Sequence, residues 1–512
     1  MSTASLKRRY FAKLLSNLVG VAIALGMQAL ITRGLGPKAY GNFSFITDFF
    51  SRLMPFFTLS TAMGFYTKLS QRQSEERLVG FYFQFTILAF MGLLLFVVGS
   101  ETTGLADYFW VDQKMIIVYM AVLWAMLTWK TQILGQVADA YGLTVSTELT
   151  KIALKCLGLV IIVVLFFKKE LNLINFFFYH FGMLLLLIVA LIWIIGRHGL
   201  SFSKLCHFKK EEFIGYTKEF YSYSQPLFIY TFLGMIIGIL DRWLLQKFGG
   251  SVQQGFFGLS YQIGAVCFLF TSAMTPLITR EFSIAFAQNE LAQMASLFRR
   301  YLPLLFSIAA YFGCFASIHA SEITYLLGGS KFSEASAVVM IMALYPIHQT
   351  YGQLNGSIYF ATGRTKLYRD VGLISLITGL PLVYVLVAPS SMMGLDAGAS
   401  GLAIKFVLLQ FITVNVRLFF NTKLLNVKFS KYFAHQLLCI SCLLAVASLA
   451  KLMGSYLPVL SHNLIISIII SGTIYTVLTA FLILLFPLLF GLRHNDIANL
   501  ASTGIKIFRT NH

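Results

Sequence analysis

Long apolar runs separated by short polar segments recur along the whole chain. Many windows of 18 to 25 residues hold one charge or none, the length that crosses roughly 30 Å of hydrocarbon as a helix. The pattern predicts fourteen transmembrane helices, at 14–32, 42–66, 80–99, 115–136, 147–167, 173–196, 222–246, 255–279, 299–319, 334–360, 371–388, 395–420, 432–453 and 463–490. The expected class is therefore an all-α polytopic membrane protein. Lys7, Arg8, Arg9 and Lys13 precede the first run as they would in a signal peptide. That run is too long for a signal core, and no A-x-A-like site follows it, so it reads as a permanent span.

Composition agrees with the pattern. Of 512 residues, 58% are hydrophobic and only 12% charged, against about 25% charged in soluble domains. Every loop is short, the longest being 197–221, which leaves no room for a soluble domain.

The net charge of +19 would suggest nucleic acid in a soluble protein. Its distribution points elsewhere. With the N-terminus inside, and cations within three residues of a span end counted with the adjoining loop, 25 of the 39 Lys and Arg residues fall on inside segments, 8 outside and 6 within spans. This excess is what the positive-inside rule expects. It puts both termini in the cytoplasm and makes anionic membrane lipids, not nucleic acid, the partner of the basic loops. Six cysteines are present; Cys439 and Cys442 have C-x-x-C spacing inside a span, where they read as two small apolar residues of one helix.

An internal repeat is visible. Arg33-Gly-Leu-Gly36-Pro-Lys-Ala-Tyr-Gly41-Asn-Phe43 follows span one, and Lys247-Phe-Gly249-Gly-Ser-Val-Gln-Gln-Gly255-Phe-Phe257 follows span seven, at an offset of 213 to 214 residues. A weaker echo, Leu327-Gly-Gly-Ser-Lys-Phe332, follows span nine. Six spans separate the first two, so the halves share one orientation, as in two-lobed secondary transporters. The expected organisation is two parallel six-helix lobes around a central cavity, 1–213 and 214–431, with 432–512 carrying two extra spans and a cytoplasmic tail.

No phosphate-binding loop, zinc motif or paired Cys/His cluster is present. No catalytic residues, cofactor or metal site are expected, and the chain does not read as an enzyme. What remains is charge within the bilayer, which is expensive unless paired or hydrated. Asp48 and Arg52 lie four apart on one helix face. Lys130 and Lys405 lie deep in spans four and twelve; Lys151, Lys155, Asp241 and Arg242 lie nearer span ends. Asp48 and Arg52 also fit a structural ion pair, and Lys151, Lys155 and Arg242 fit side chains reaching the headgroups. Six bases against two acids favour an anion, with phosphate or pyrophosphate the best fit. His348, Gln349, Thr350, Tyr351, Gln353 and Asn355 in span ten, with Tyr223, Gln225, Tyr230, Tyr261 and Gln262, suit either sugar hydroxyls or helix-to-helix bonds. Prolines 55, 226, 276, 303, 346, 381 and 487 fall inside spans and permit kinks.

The sequence resembles the O-antigen and polysaccharide repeat-unit (Wzx-type) flippases of the multidrug/oligosaccharidyl-lipid/polysaccharide exporter superfamily. The likeness rests on Asn17-x-x-Gly20, the Thr32–Phe43 turn with Arg33, Gly36, Pro37, Tyr40 and Gly41, Leu59–Gly64, Pro226, Asp241-Arg242, Gly255–Tyr261 and Gly394–Gly401. It implies two lobes around a cationic cavity, and alternating access driven without ATP in the bacterial cytoplasmic membrane. The implied cargo is an oligosaccharide repeat unit on undecaprenyl pyrophosphate; a polysaccharide polymerase and a chain-length regulator are implied as partners. On this reading Arg52, Lys130, Lys405 and Arg242 hold the pyrophosphate, and Asp48 pairs with Arg52 or exchanges a proton. A MATE-like drug or metabolite antiporter and a membrane polymerase or ligase are the alternatives. The cationic bias weighs against the first, and the short outside loops against the second.

Overall fold

The computed structural model describes residues 6–59, 61–72, 76–198, 210–267, 269–456 and 463–492. Among them are seventeen α-helices and no strand. In order, α1 is Leu6–Phe57, α2 Ala62–Gln71, α3 Glu76–Thr102, α4 Ala106–Phe109, α5 Met115–Ala140, α6 Thr144–Phe167, α7 Leu173–Arg197, α8 Lys210–Cys267 and α9 Leu269–Ala287. They are followed by α10 Leu291–Ile318, α11 Ala320–Gly328, α12 Ser336–Met342, α13 Tyr345–Ala361, α14 Thr365–Val387, α15 Gly398–Leu424, α16 Phe429–Ser455 and α17 Leu464–Leu485. Ten stretches among the described residues are long and apolar enough to cross a membrane. Each of the fourteen expected spans falls on helix: spans one and two share α1, and span seven and the start of span eight share α8. The expected tail beyond Leu492 and the centre of the 197–221 loop lie outside the described residues.

Three expected spans are corrected. The span at 42–66 breaks after Phe57 and resumes as α2. Thr58 turns its hydroxyl back to the Met54 carbonyl (3.0 Å), Leu59 has a positive φ, and Thr61 donates to the Thr58 carbonyl at 2.7 Å. Such side-chain bonds compete with the helical ladder. The span at 334–360 divides into α12 and α13 around Ala343-Leu344, with Pro346 in the first turn of α13, where its missing N–H leaves no bond unmade. Pro487 is not inside the last span; α17 stops at Leu485 and Pro487 opens a short 3₁₀ turn. Pro381, by contrast, sits within α14 without ending it.

The repeat has a structural counterpart. Gly36 (φ 72°, ψ 172°) and Gly250 (φ 71°, ψ −174°) interrupt α1 and α8 with one shared conformation, and Gly329 (φ 69°, ψ −168°) repeats it after α11. That region of backbone space is essentially closed to residues with a Cβ. The glycines noted in the sequence echo are thus the hinges of three helix–helix joints.

The chain forms two compact units. The first holds residues 1–258 and 387–398, the second 259–386 and 399–512. The first has an aromatic core: Trp110 stacks near Phe50 (6.0 Å), and Phe81 packs on Phe220 (5.6 Å), tying the foot of α8 to α3. The second unit includes the last two spans. Its α15 and α16 are joined by a reciprocal amide pair, Asn415 Nδ2 to Gln436 Oε1 at 3.3 Å and Gln436 Nε2 to Asn415 Oδ1 at 2.9 Å. On α16, Cys439 is buried against the Ser307 hydroxyl of α10, a packing role for one half of the C-x-x-C pair.

Candidate functional site

The break at Gly36 aims the second half of α1 across the first unit, so that Asp48 and Arg52 face the α8 segment before Gly250. Arg52 Nε donates to Asp48 Oδ2 at 2.6 Å. The same oxygen lies 3.5 Å from Nε of Arg242 on α8. One carboxylate therefore serves two guanidinium groups brought from spans two and seven.

The two arginines are held differently. Arg242 is 6% exposed. It donates to Gln254 Oε1 at 2.9 Å and to Ser44 Oγ at 2.8 Å, lies over the Phe257 ring at 4.7 Å, and has its carbonyl bonded by Gln254 Nε2. These contacts fix a buried cation in one geometry. Arg52 keeps about a third of its side chain exposed. It rests on Gly238, where an added Cβ would come within 3.0 Å of the Arg52 Cζ. The Arg52 guanidinium thus pairs with Asp48, lies flat on Gly238 and keeps about a third of its side chain exposed.

The other expected site residues do not join this pair within the first unit. Lys130 is exposed on α5, on the wall of an apolar groove of about 300 Å³ between α3 and α5, with Phe83, Ile87, Phe90 and Leu127 among its neighbours. Lys405 belongs to the second unit; it is 6% exposed, near the Phe406 ring (5.0 Å) and close against Gly379. Lys151 pairs with buried Glu148 at 2.9 Å on the same helix. The polar residues of span ten are largely spent on packing. Tyr351 is fully buried against Phe306, and Asn355 accepts from Asn421 at 3.1 Å. Thr350 bonds its own helix, and Gln353 accepts from Thr275 at 2.9 Å. Tyr261 and Gln262 are exposed, whereas the side chains of Tyr223 and Tyr230 lie outside the described residues.

Sequence reasoning missed Ser44, Gly238 and Gln254. The offset of 214 relates Arg242 to Gln28 and Gln254 to Tyr40, residues of unlike chemistry, so the repeat carried no sequence signal for this pair. Arg417, near the end of span twelve, is buried within α15, stacked 3.8 Å from the Tyr368 ring.

No protein-family model matches the chain. A curated relative, the "Probable low-salt glycan biosynthesis flippase Agl15" of Haloferax volcanii, is 24% identical over 208 residues, 40% of this chain and 42% of the relative. The chain thus spans less than half the length of that relative. Among solved structures, the lipid II flippase MurJ in an inward closed conformation superposes with a TM-score of 0.65 at 14% identity, over 93% of this chain and 98% of that one. An inward-facing multidrug resistance MATE transporter of the MOP superfamily gives 0.59 at 10% identity, over 78% of this chain and 94% of that one. This multi-pass membrane chain has the fold shared by the lipid II flippase MurJ and the MATE transporters.

Proposed function

We propose that the chain is a flippase. It moves undecaprenyl-pyrophosphate-linked oligosaccharide repeat units, of O-antigen or another surface polysaccharide, across the bacterial cytoplasmic membrane by alternating access. The observation that carries this reading is the sign of the site: two arginines share one carboxylate oxygen, so the cluster keeps a net positive charge. An anion is the ligand such a cluster selects, and a pyrophosphate offers oxygens for both forks. The matches to a glycan biosynthesis flippase and a lipid II flippase support the same class of cargo.

In this reading Arg242, locked by Gln254 and Ser44, is the preorganised half of the site. Arg52 is the mobile half, turning from Asp48 to the pyrophosphate and back. Asp48 is both its resting partner and the group able to take a proton when the anion displaces it. Lys405 keeps the role its sequence position suggests, a further cation for the cargo, and Lys130 has no part in holding it. The lobes 1–213 and 214–431 rock about the site, while 432–512 adds the extra pair of spans. Both termini are cytoplasmic, and the cargo passes to a polymerase and its chain-length regulator.

A drug antiporter of the MATE type shares the fold. It predicts cationic cargo, which this cluster repels. The test is complementation in a strain lacking the gene. Arg52→Ala and Arg242→Ala, inserted at wild-type levels, lose surface polysaccharide without altering drug resistance. Unchanged polysaccharide with raised drug sensitivity reverses the assignment.

A further inference from the structure

Two chain segments build the site, and each also carries a closure above and below it. In the segment 37–72 the order is Pro37, Gly41 and Ser44, then Asp48 and Arg52, then Lys68 and Arg72. In the segment 219–258 it is Glu219, then Gly238 and Arg242, then Ser251, Gly255 and Gly258. The segments meet three times.

At the end carrying the glycine hinges the contact is backbone on backbone. A Cβ at Gly41 would strike the Ser251 carbonyl and come within 2.8 Å of the Gly255 nitrogen; one at Gly255 would lie 3.0 Å from the Pro37 carbonyl carbon. Residues 37 and 251, and 41 and 255, are each 214 apart, so the two contacts are one contact repeated by the internal symmetry. Gly258 and Ser44, also 214 apart, touch each other, as residues on the two-fold axis of a self-complementary interface must. This clasp is close-packed.

At the other end the contact is ionic. Glu219 Oε1 accepts from both Lys68 Nζ and Arg72 Nη2. Burial alone would raise the Glu219 carboxyl, yet the bonds and charges of Lys68 and Arg72 outweigh it and hold it below its usual range. Lys68 rides on α2, the short helix set loose from α1 by the break at Thr58–Thr61, and Arg72 caps its C-terminal end. Between this latch and Arg52 stands a layer of rings, Phe56 against Phe228 (6.2 Å) and Phe232 (5.5 Å).

We infer that the Lys68–Glu219–Arg72 latch is the inner gate of the arginine site and the Gly41–Gly255 clasp its outer gate. The inner gate is electrostatic, and the outer gate steric. Both contacts are formed here. Partly exposed ion pairs weaken as salt rises, whereas close-packed backbone does not respond to it. Access from the latch side is therefore set by ionic strength and access from the clasp side is not. The assignment of inner and outer rests on the flippase reading; the two kinds of closure do not.

The test uses the full-length protein in membrane vesicles, with its six native cysteines replaced and Met235→Cys as reporter. Met235 lies on α8 one turn from Gly238, on the latch side. A membrane-impermeant maleimide is the probe. In inside-out vesicles the labelling rate rises about fivefold from low to high salt, and Glu219→Gln gives a similar rise that salt no longer changes. Gly41→Ala raises labelling in right-side-out vesicles only. Glu219→Lys combined with Lys68→Glu and Arg72→Glu restores slow, salt-sensitive labelling, which excludes misfolding as the cause. Labelling in inside-out vesicles that ignores both salt and Glu219→Gln, or a charge swap that fails to restore closure, overturns the inference. Neither readout involves cargo, so failure here leaves the flippase reading to its own test.

Discussion

Asp48→Asn separates the two tasks assigned to that carboxylate. The substitution keeps the shape of the side chain and removes its charge. Two effects then oppose each other in the binding of an anion. Arg52 loses the partner that orients it at 2.6 Å, and immobilising a long side chain anew costs about 0.5 to 1.5 kcal/mol. Arg242 is little disturbed, because Gln254, Ser44 and the Phe257 ring still hold it. Against this, the incoming anion no longer meets a carboxylate. Two unit charges about 4 Å apart interact by about 4 kcal/mol at an effective dielectric of 20. Asp48 is roughly a quarter exposed, and water screening brings that to about 2 to 3 kcal/mol. The charge effect wins by about 1 to 2 kcal/mol, so pyrophosphate binds roughly 5- to 30-fold more tightly to Asp48→Asn. Calorimetric titration of the purified protein with inorganic pyrophosphate measures this directly. Tight binding without release lowers turnover, so surface polysaccharide falls as affinity rises. Equal or weaker pyrophosphate binding by Asp48→Asn would refute the view that Asp48 competes with cargo for the arginines.

Other substitutions test the surrounding geometry. Gly238→Ala pushes a methyl into the Arg52 guanidinium and lowers pyrophosphate affinity about tenfold, whereas Gly215→Ala, with open space at its Cβ, leaves it unchanged. Lys130→Gln alters neither pyrophosphate binding nor surface polysaccharide, since the groove wall it occupies is apart from the arginines; a polysaccharide loss at normal expression would return Lys130 to the site. Asn415→Leu or Gln436→Leu leaves one buried amide without its partner and costs about 1 to 3 kcal/mol, while the double substitution costs less than the sum. Thermal unfolding in detergent reads that coupling, and additive losses would mean the pair contributes nothing as a pair.

The amino-acid pattern exposes some of these features and hides others for physical reasons. Hydropathy sees composition over a helix length, so it located the spans but ran straight through Thr58–Thr61 and Ala343-Leu344, where local hydrogen bonds and a proline end a helix without changing its apolarity. The glycine joints were visible because a backbone conformation that excludes a Cβ forces the residue type, and repetition at a fixed offset made the signal stand out. Asp48 and Arg52 were legible as a pair because their spacing alone brings them together. Arg242 was legible as a cation of the site, with a headgroup contact as the other reading of its place near a span end; its partners were not, because only the crossing of α1 over α8 brings Ser44 to it and only the break at Gly250 brings Gln254. Tyr351 and Asn355 looked equally suited to sugar or to packing, and burial against neighbouring helices, which no single segment encodes, assigns them to packing. Lys130 and Arg242 look alike in sequence as bases within apolar runs; their surroundings are opposite.

The central claim is that the arginine pair moves a lipid-linked glycan. Reconstitution of the purified protein into liposomes carrying a fluorescent undecaprenyl-pyrophosphate-linked oligosaccharide tests it most directly. Quenching from outside reports the fraction of the glycan on each face over time. The account predicts that the wild-type protein equilibrates the glycan between faces, and that Arg52→Ala combined with Arg242→Ala does so no faster than protein-free liposomes. Movement by the double variant at the wild-type rate, or a wild-type protein that leaves the glycan in place while transporting a cationic dye, would contradict it.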